Sequence, residues 1–172
     1  MNYLDKENRI PLRYAADRGH DSTLQLLLDM GADPTIKDTN GFTPAMLAKL
    51  KNHPTTHTLL LTAESNYNAK AQRTQTTIEF LAAVQTGNRP ITTAILNANF
   101  PVDAPLDTVG AAGLYEAARV STVRVVKLLL KRGAKVNRQD LDGCTALHGA
   151  ARGGCVQIVP HLLKAGVGTC EE

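Results

Sequence analysis

A repeat of 33 residues runs through the chain and leaves little freedom in how it folds. Pro11 and Pro44 are 33 apart, as are Gly110 and Gly143, and Gly133 and Gly166. A fixed period of this length means that one supersecondary unit is copied along the sequence, each copy burying its apolar face only against its neighbours. Extended outward, the register gives five units: 5–37, 38–70, 73–105, 107–139 and 140–172.

Local signals say what one unit contains. Thr43-Pro44 reads as a helix start, with a capping hydroxyl and a proline where a missing N–H costs nothing. Pro54 and Pro90 fall in the first turn of the second helix of their units. Gly31, Gly133 and Gly166 follow Leu-rich runs, where a left-handed residue ends a helix. Ala15-Ala16, Ala117-Ala118 and Ala150-Ala151 are small enough for neighbouring helices to approach closely. The chain has no Trp, four Tyr and three Phe, so Leu, Ala and Val must carry the core, which favours packed helices over a sheet. Each unit therefore reads as a turn followed by two short antiparallel helices.

Laid over one another, the units show a shared motif. The fifth offers Asp140, Gly143, Thr145, Leu147, His148, Ala150, Ala151, Gly154, Leu162 and Leu163. The first offers Asp5, Pro11, Leu12, Ala15, Ala16, Gly19, His20, Leu27, Leu28, Gly31, Ala32 and Asp33. The second has Asp38, Gly41, Thr43, Pro44 and Ala48, and the fourth Asp107, Gly110, Leu114, Ala117, Ala118, Leu129, Gly133 and Ala134. In this the sequence resembles the ankyrin repeat family, whose pattern runs D-x-x-G-x-T-P-L-H-x-A-A-x-x-G-H and then V-V-x-x-L-L-x-x-G-A-D. The resemblance implies an all-α ankyrin-repeat solenoid of about five helix-turn-helix units with short hairpin-like turns.

The third unit departs from the pattern. It lacks the Thr-Pro start, and Asn99-Phe100-Pro101 stands where Gly-Ala-Asp is expected. The polar stretch 64–77 before it has no hairpin glycine. Two readings follow: a diverged internal repeat with a longer connection, or a junction near 65–77 between a two-unit and a three-unit stack. Leu12, Leu24 and Leu27 at one end, and Ile158, Val159 and Leu162 at the other, are expected to be open faces without a polar cap. Pro160 is expected to make the last helix start late or fray.

Chemistry finds little support. Cys144, His148, Cys155 and His161 lack the paired Cys-x-x-Cys spacing of a zinc knuckle, and the resemblance gives His148 a turn-fixing role instead. No phosphate loop, nucleophile constellation or acid–base pair emerges, so no catalytic residue, metal or cofactor is expected. A net charge of +3 with few aromatic residues argues against nucleic acid, and no apolar run reaches membrane-spanning length, so no membrane insertion is expected. Three irregularly spaced cysteines fit a reducing, cytoplasmic compartment.

The resemblance implies protein–protein recognition through turn tips and a concave groove lined by first helices. The register puts Lys6, Arg9, Phe42 and Leu141 at or beside the tips, and Arg18, Leu50, Lys51, Arg119 and Arg152 at the ends of first helices. With Tyr115 these are the expected partner-binding residues. Arg119 and Arg152, one period apart, form a row that would attract an acidic or phosphorylated segment. The alternative is a targeting module of a larger enzyme or of a bacterial effector secreted into a host cytosol, to which the Thr- and Asn-rich composition points.

Overall fold

Every regular element formed by the described residues is a helix. The structure is a computed structural model and describes residues 2–167; the last five residues of the fifth unit, with Cys170, lie outside it. The helices are α1 (Pro11–Arg18), α2 (Asp21–Asp29), α3 (Pro44–Leu50), α4 (Pro54–Gln85), α5 (Arg89–Asn97), α6 (Gly113–Arg119), α7 (Val123–Lys131), α8 (Ala146–Arg152) and α9 (Val159–Val167). The starts are those the prolines and threonines dictate. Pro11, Pro44 and Pro54 each open a helix, and the Thr43 hydroxyl accepts from the N–H of Met46 at 3.4 Å. Gly31 and Gly133 are left-handed, at φ +87° and +82°, and close α2 and α7.

Packing divides the chain after Arg73 into two compact units. In the first, α1 packs on α2 and α3, around Ile10, Leu12, Leu24 and Leu60 with the alanines 15, 16, 45 and 48 between them. In the second, α6 packs on α7 and α8, and α5 on α7, around Phe80, Val84, Leu114, Val125, Val126, Leu129, Ile158 and Leu162. Fully burying an aliphatic side chain of this size contributes roughly 1.5–3 kcal/mol, so a handful per unit sustains each core. Leu12, Leu24, Ile158 and Leu162 are therefore not open faces. They are fully buried in the cores of their units, and the large exposed apolar residues nearby are Tyr14, Leu26 and Met30, and Val156 and Leu163.

The main departure from the expected pattern is α4. It runs unbroken for 32 residues, so the second helix of one pair and the first helix of the next are a single element with no turn between them. The cause is visible in the sequence: no glycine or proline occurs between Pro54 and Gly87. Residues 65–77 are thus helical, not a loop. Even so, between Leu60 and Phe80 no side chain is fully buried, so little packing opposes local opening there. Brief digestion with trypsin is expected to cut at Lys70 or Arg73 before Arg119, Arg124 or Lys127. First cuts at the later three would show that 114–130 opens more easily than the exposed middle of α4.

The last helix carries the mark of Pro160. One period after Val123, where α7 begins, lies Val156, yet α9 begins at Val159. The late start is as expected, since proline is tolerated only in a helix's first turn. The whole helix shifts with it, so Gly166 lies within the last turn of α9 instead of terminating it.

Candidate partner-binding surfaces

The turns are built by one aspartate each, at the first position of the repeat. Asp5 Oδ1 accepts from the N–H groups of Glu7 and Arg9, Asp38 Oδ1 from Asn40 and Phe42, Asp107 Oδ1 from Ala111, and Asp140 Oδ1 from Asp142 and Cys144. Each turn then needs a left-handed residue, supplied by Asn8, Gly41, Gly110 and Gly143. Consecutive tips are tied together within each unit. The Thr39 N–H donates to Glu7 O at 3.4 Å, and the Leu141 N–H to Val109 O at 2.8 Å. These bonds set consecutive tips side by side within each unit.

In the first unit, Lys6 is exposed on its tip. Arg9 is not available as a cation: it pairs with Asp5 at 2.7 Å and Glu7 at 2.5 Å and stacks over Tyr14, 5.2 Å from the ring centre. Asp5 also accepts the Tyr14 hydroxyl at 2.6 Å. That bond, with the Arg9 backbone and guanidinium, holds the Asp5 carboxyl far below the usual range, and the same bond raises the Tyr14 phenol. Arg18 and Lys51 bracket the Asp17 carboxylate at 3.7 and 3.6 Å, so their charge is partly met within the chain. Phe42 and Leu50 are exposed, at 39% and 68% of their surface. Between them lies Met46, also half in solvent, which sequence reading passed over. Met46 and Leu50, four residues apart, share one face of α3, and Phe42 is exposed on the turn just before that helix. That spacing was the available signal.

In the second unit α6 and α8 lie in direct contact because glycines make room. A Cβ on Gly149 would sit 2.7 Å from the Tyr115 carbonyl oxygen, and one on Gly153 only 2.0 Å from that of Arg119. Gly149 and Gly153, more than the exposed Ala151, are the small residues that count here. This contact sets Gly153, which follows Arg152 at the end of α8, beside the Arg119 carbonyl at the end of α6. Tyr115 is half-buried against Gly149, and Leu141 stands 81% exposed on its tip.

The expected row of two open cations is corrected at Arg119. Its guanidinium bonds Glu116, three residues back, at 2.7 Å, and Glu116 is only 7% exposed. Burial pushes the Glu116 carboxyl up, but the bonds from Arg119 and from Gln85 outweigh it, leaving the group below its ordinary value. Arg119 therefore neutralises a buried acid, whereas Arg152 makes no ion pair among the described residues. Replacing Arg119 by alanine is expected to destabilise this unit by about 1–3 kcal/mol, the cost of a stranded buried carboxylate. Arg152→Ala, by contrast, should stay within about 0.5 kcal/mol in the same urea titration. The sign of the pH dependence follows: with its folded value depressed, Glu116 contributes stability above the ordinary glutamate range and loses it as the pH falls through the folded value. In Glu116→Gln that part of the acid sensitivity should vanish.

Two of the four residues weighed as zinc ligands, His148 and Cys155, have other partners. His148 Nδ1 accepts from the Thr145 N–H at 3.0 Å and meets the Thr145 hydroxyl at 3.0 Å, the turn-fixing role that the resemblance implied. Cys155 is buried, its Sγ 3.3 Å from the Gly153 carbonyl. Among the described residues no three His, Cys, Asp or Glu side chains converge, and no helix is long and apolar enough to cross a membrane.

The chain, with its aspartate-held tips 33 residues apart within each unit, is matched by a family model described as Ankyrin repeats (3 copies), over residues 1–73 and 80–170. The chain belongs to the ankyrin repeat family. Ankyrin repeats are in general protein–protein interaction modules, and this ankyrin chain is similar to several larger proteins. It is 31% identical over 137 residues to Rabankyrin-5 of Mus musculus, covering 80% of this chain and 12% of that protein. It is 29% identical over 139 residues to the putative palmitoyltransferase ZDHHC13 of Danio rerio, covering 81% and 21%. With the E3 ubiquitin-protein ligase HACE1 of Danio rerio the identity is 40% over 58 residues, covering 34% and 6%. The chain thus spans between 6% and 21% of the length of these relatives.

Proposed function

We infer that the chain binds a partner protein through its turn tips and the grooves lined by its first helices, without a cofactor and without catalysing a reaction. The observation that carries this is a set of exposed apolar side chains, Phe42 on its tip and Met46 and Leu50 on α3, with Lys51 next to Leu50 and Arg18 sharing the Asp17 carboxylate with it. Large apolar side chains kept in solvent on ordered elements are the usual anchors of an interface, and a rim of charge sets orientation and on-rate. In the second unit Leu141 and Tyr115 take the anchor role, with Lys6 at the first tip and Arg152 on α8 as rim charges.

Affinity capture with the full chain as bait, compared with Phe42→Ala/Leu50→Ala and Leu141→Ala, tests the reading. Anchor residues typically cost 1–4 kcal/mol on truncation, roughly a tenfold to thousandfold loss of affinity. Unchanged capture by both variants, with unchanged helical signal, would place the binding surface elsewhere. A second reading, a targeting module inside a larger enzyme, rests on two relatives that are enzymes by name and far longer than this chain. Both readings place the chain in a reducing, cytoplasmic setting.

A further inference from the structure

The second helices of the second unit carry charge of one sign only. Among α5, α7 and α9 there is no Asp or Glu, while Arg89, Arg124, Lys127, Lys131 and Lys164 are all exposed. The acids of the described part of this unit lie elsewhere and are engaged. Glu116 meets Arg119, Glu79 accepts from Gln75, and Asp103, Asp107 and Asp140 accept backbone N–H groups at or near the turns. Asp142, the remaining one, stands on the tip beside Asp140. None of the five cations makes an ion pair among the described residues. Arg124, Lys127 and Lys131 share one face of α7, opposite the buried Val125, Val126, Leu128 and Leu129. Like charges three and four residues apart on a helix repel, so the row works against the stability of the helix that carries it.

Geometry adds a place for one discrete anion. Arg89 and Arg124, from α5 and α7, line a common cleft of about 630 Å³ with Gly87, Asn88, Pro90 and Thr93. The N–H groups at the start of α5 are already used: Arg89 donates to Gly87 O and Ile91 to Asn88 Oδ1. Recognition therefore falls to the two guanidiniums, whose planar forks match a tetrahedral or carboxylate oxyanion in two-pronged fashion. From Arg124 to Lys131 the helix rises about 10 Å, the reach of three or four extended residues.

We propose that this face binds an acidic, phosphorylated segment of a partner protein, its phosphate between Arg89 and Arg124 and its carboxylates along Lys127 and Lys131. A nucleic acid fits less well, since α5, α7 and α9 contain no Phe, Tyr or Trp on which a base could stack. A bilayer fits less well, since a cleft lined by two arginines suits a single group, and no Trp or Tyr stands among the cations to enter the headgroup layer. The surface is separate from the tips and first helices, so it stands or falls independently of the reading above.

The test uses the full chain and a fluorescein-labelled peptide, Gly-phosphoSer-Glu-Asp-Glu-Glu, beside its unphosphorylated twin, read by anisotropy at two salt concentrations. Phosphatidylserine vesicles and a single-stranded oligonucleotide are run alongside. The phosphopeptide is expected to bind at least tenfold more tightly than its twin. Arg89→Gln/Arg124→Gln should abolish that preference, whereas Lys127→Gln/Lys131→Gln should weaken both peptides and flatten the salt dependence. Lys49→Gln, an exposed cation on α3 of the first unit, should change nothing, and all variants should keep the helical spectrum. Equal binding of the two peptides, or a preference that survives Arg89→Gln/Arg124→Gln, overturns the proposal. So does loss of phosphopeptide binding in Lys49→Gln, which would move the anion to α3. Tighter binding of vesicles or oligonucleotide, lost in Arg89→Gln/Arg124→Gln, overturns the proposed occupant.

Discussion

Phe80→Ala should cost the second unit about 3–5 kcal/mol, the usual penalty for deleting a fully buried aromatic side chain. Phe80 is completely buried and packs on Phe100 with ring centres 4.8 Å apart. It also lies against Gly113, where an added Cβ would come within 2.8 Å of the ring, so on that side there is no side chain to collapse into the space. Because α4 crosses the point where packing divides the chain, the loss should not stay in one residue's surroundings. The C-terminal part of α4, including Val84, loses its largest anchor to the core formed with α6 and α7. In amide exchange, residues 78–86 should gain exposure while α1 and α2 keep theirs, because Phe80 belongs to the core of the second unit alone. A loss under about 1 kcal/mol would mean that the packing around Phe80 is looser than its burial indicates.

Gly153→Ala is the second large effect. The added methyl would meet the Arg119 carbonyl oxygen at 2.0 Å, and that atom is backbone, so no rotamer change can relieve the overlap. One helix must shift relative to the other. Overpacking of this kind typically costs 1–3 kcal/mol, and a clash with backbone should reach the top of about that range or exceed it. Gly154→Ala is the control at the adjacent position: its Cβ would meet nothing within 4 Å, although a φ of +64° adds backbone strain of about 1 kcal/mol. If Gly153→Ala is as stable as the wild type by thermal denaturation, α6 and α8 do not lie as close as described.

Much of this was written in the sequence, for identifiable reasons. A 33-residue period places Asp5, Asp38, Asp107 and Asp140 at equivalent points, and each does the same local work of satisfying backbone N–H groups in its turn. Helix starts were legible because proline and threonine act through their own backbone. The continuity of α4 was legible too, from the missing glycine, but a period of 33 suggested a turn that the local sequence does not encode. What depends on depth was harder to read. Glu116 and Arg119 are three apart, a spacing that permits a pair, yet only the burial of Glu116 makes Arg119 a counter-ion in place of an open contact. Gly153 falls among three consecutive small or flexible positions, and nothing in its sequence context reveals the carbonyl of Arg119 beside it. The cations of α5, α7 and α9 belong to second helices, which the tip-and-groove pattern leaves out of consideration.

The recognition role is tested most directly by amide hydrogen exchange on the chain alone and saturated with a partner purified by affinity capture. Tip-and-groove binding predicts new protection at residues 38–51, at 113–119 and 140–152, or at both sets, whether or not α5 and α7 also gain it. New protection confined to α2, α5 or α7, with the tips still exchanging as in the free chain, would contradict it.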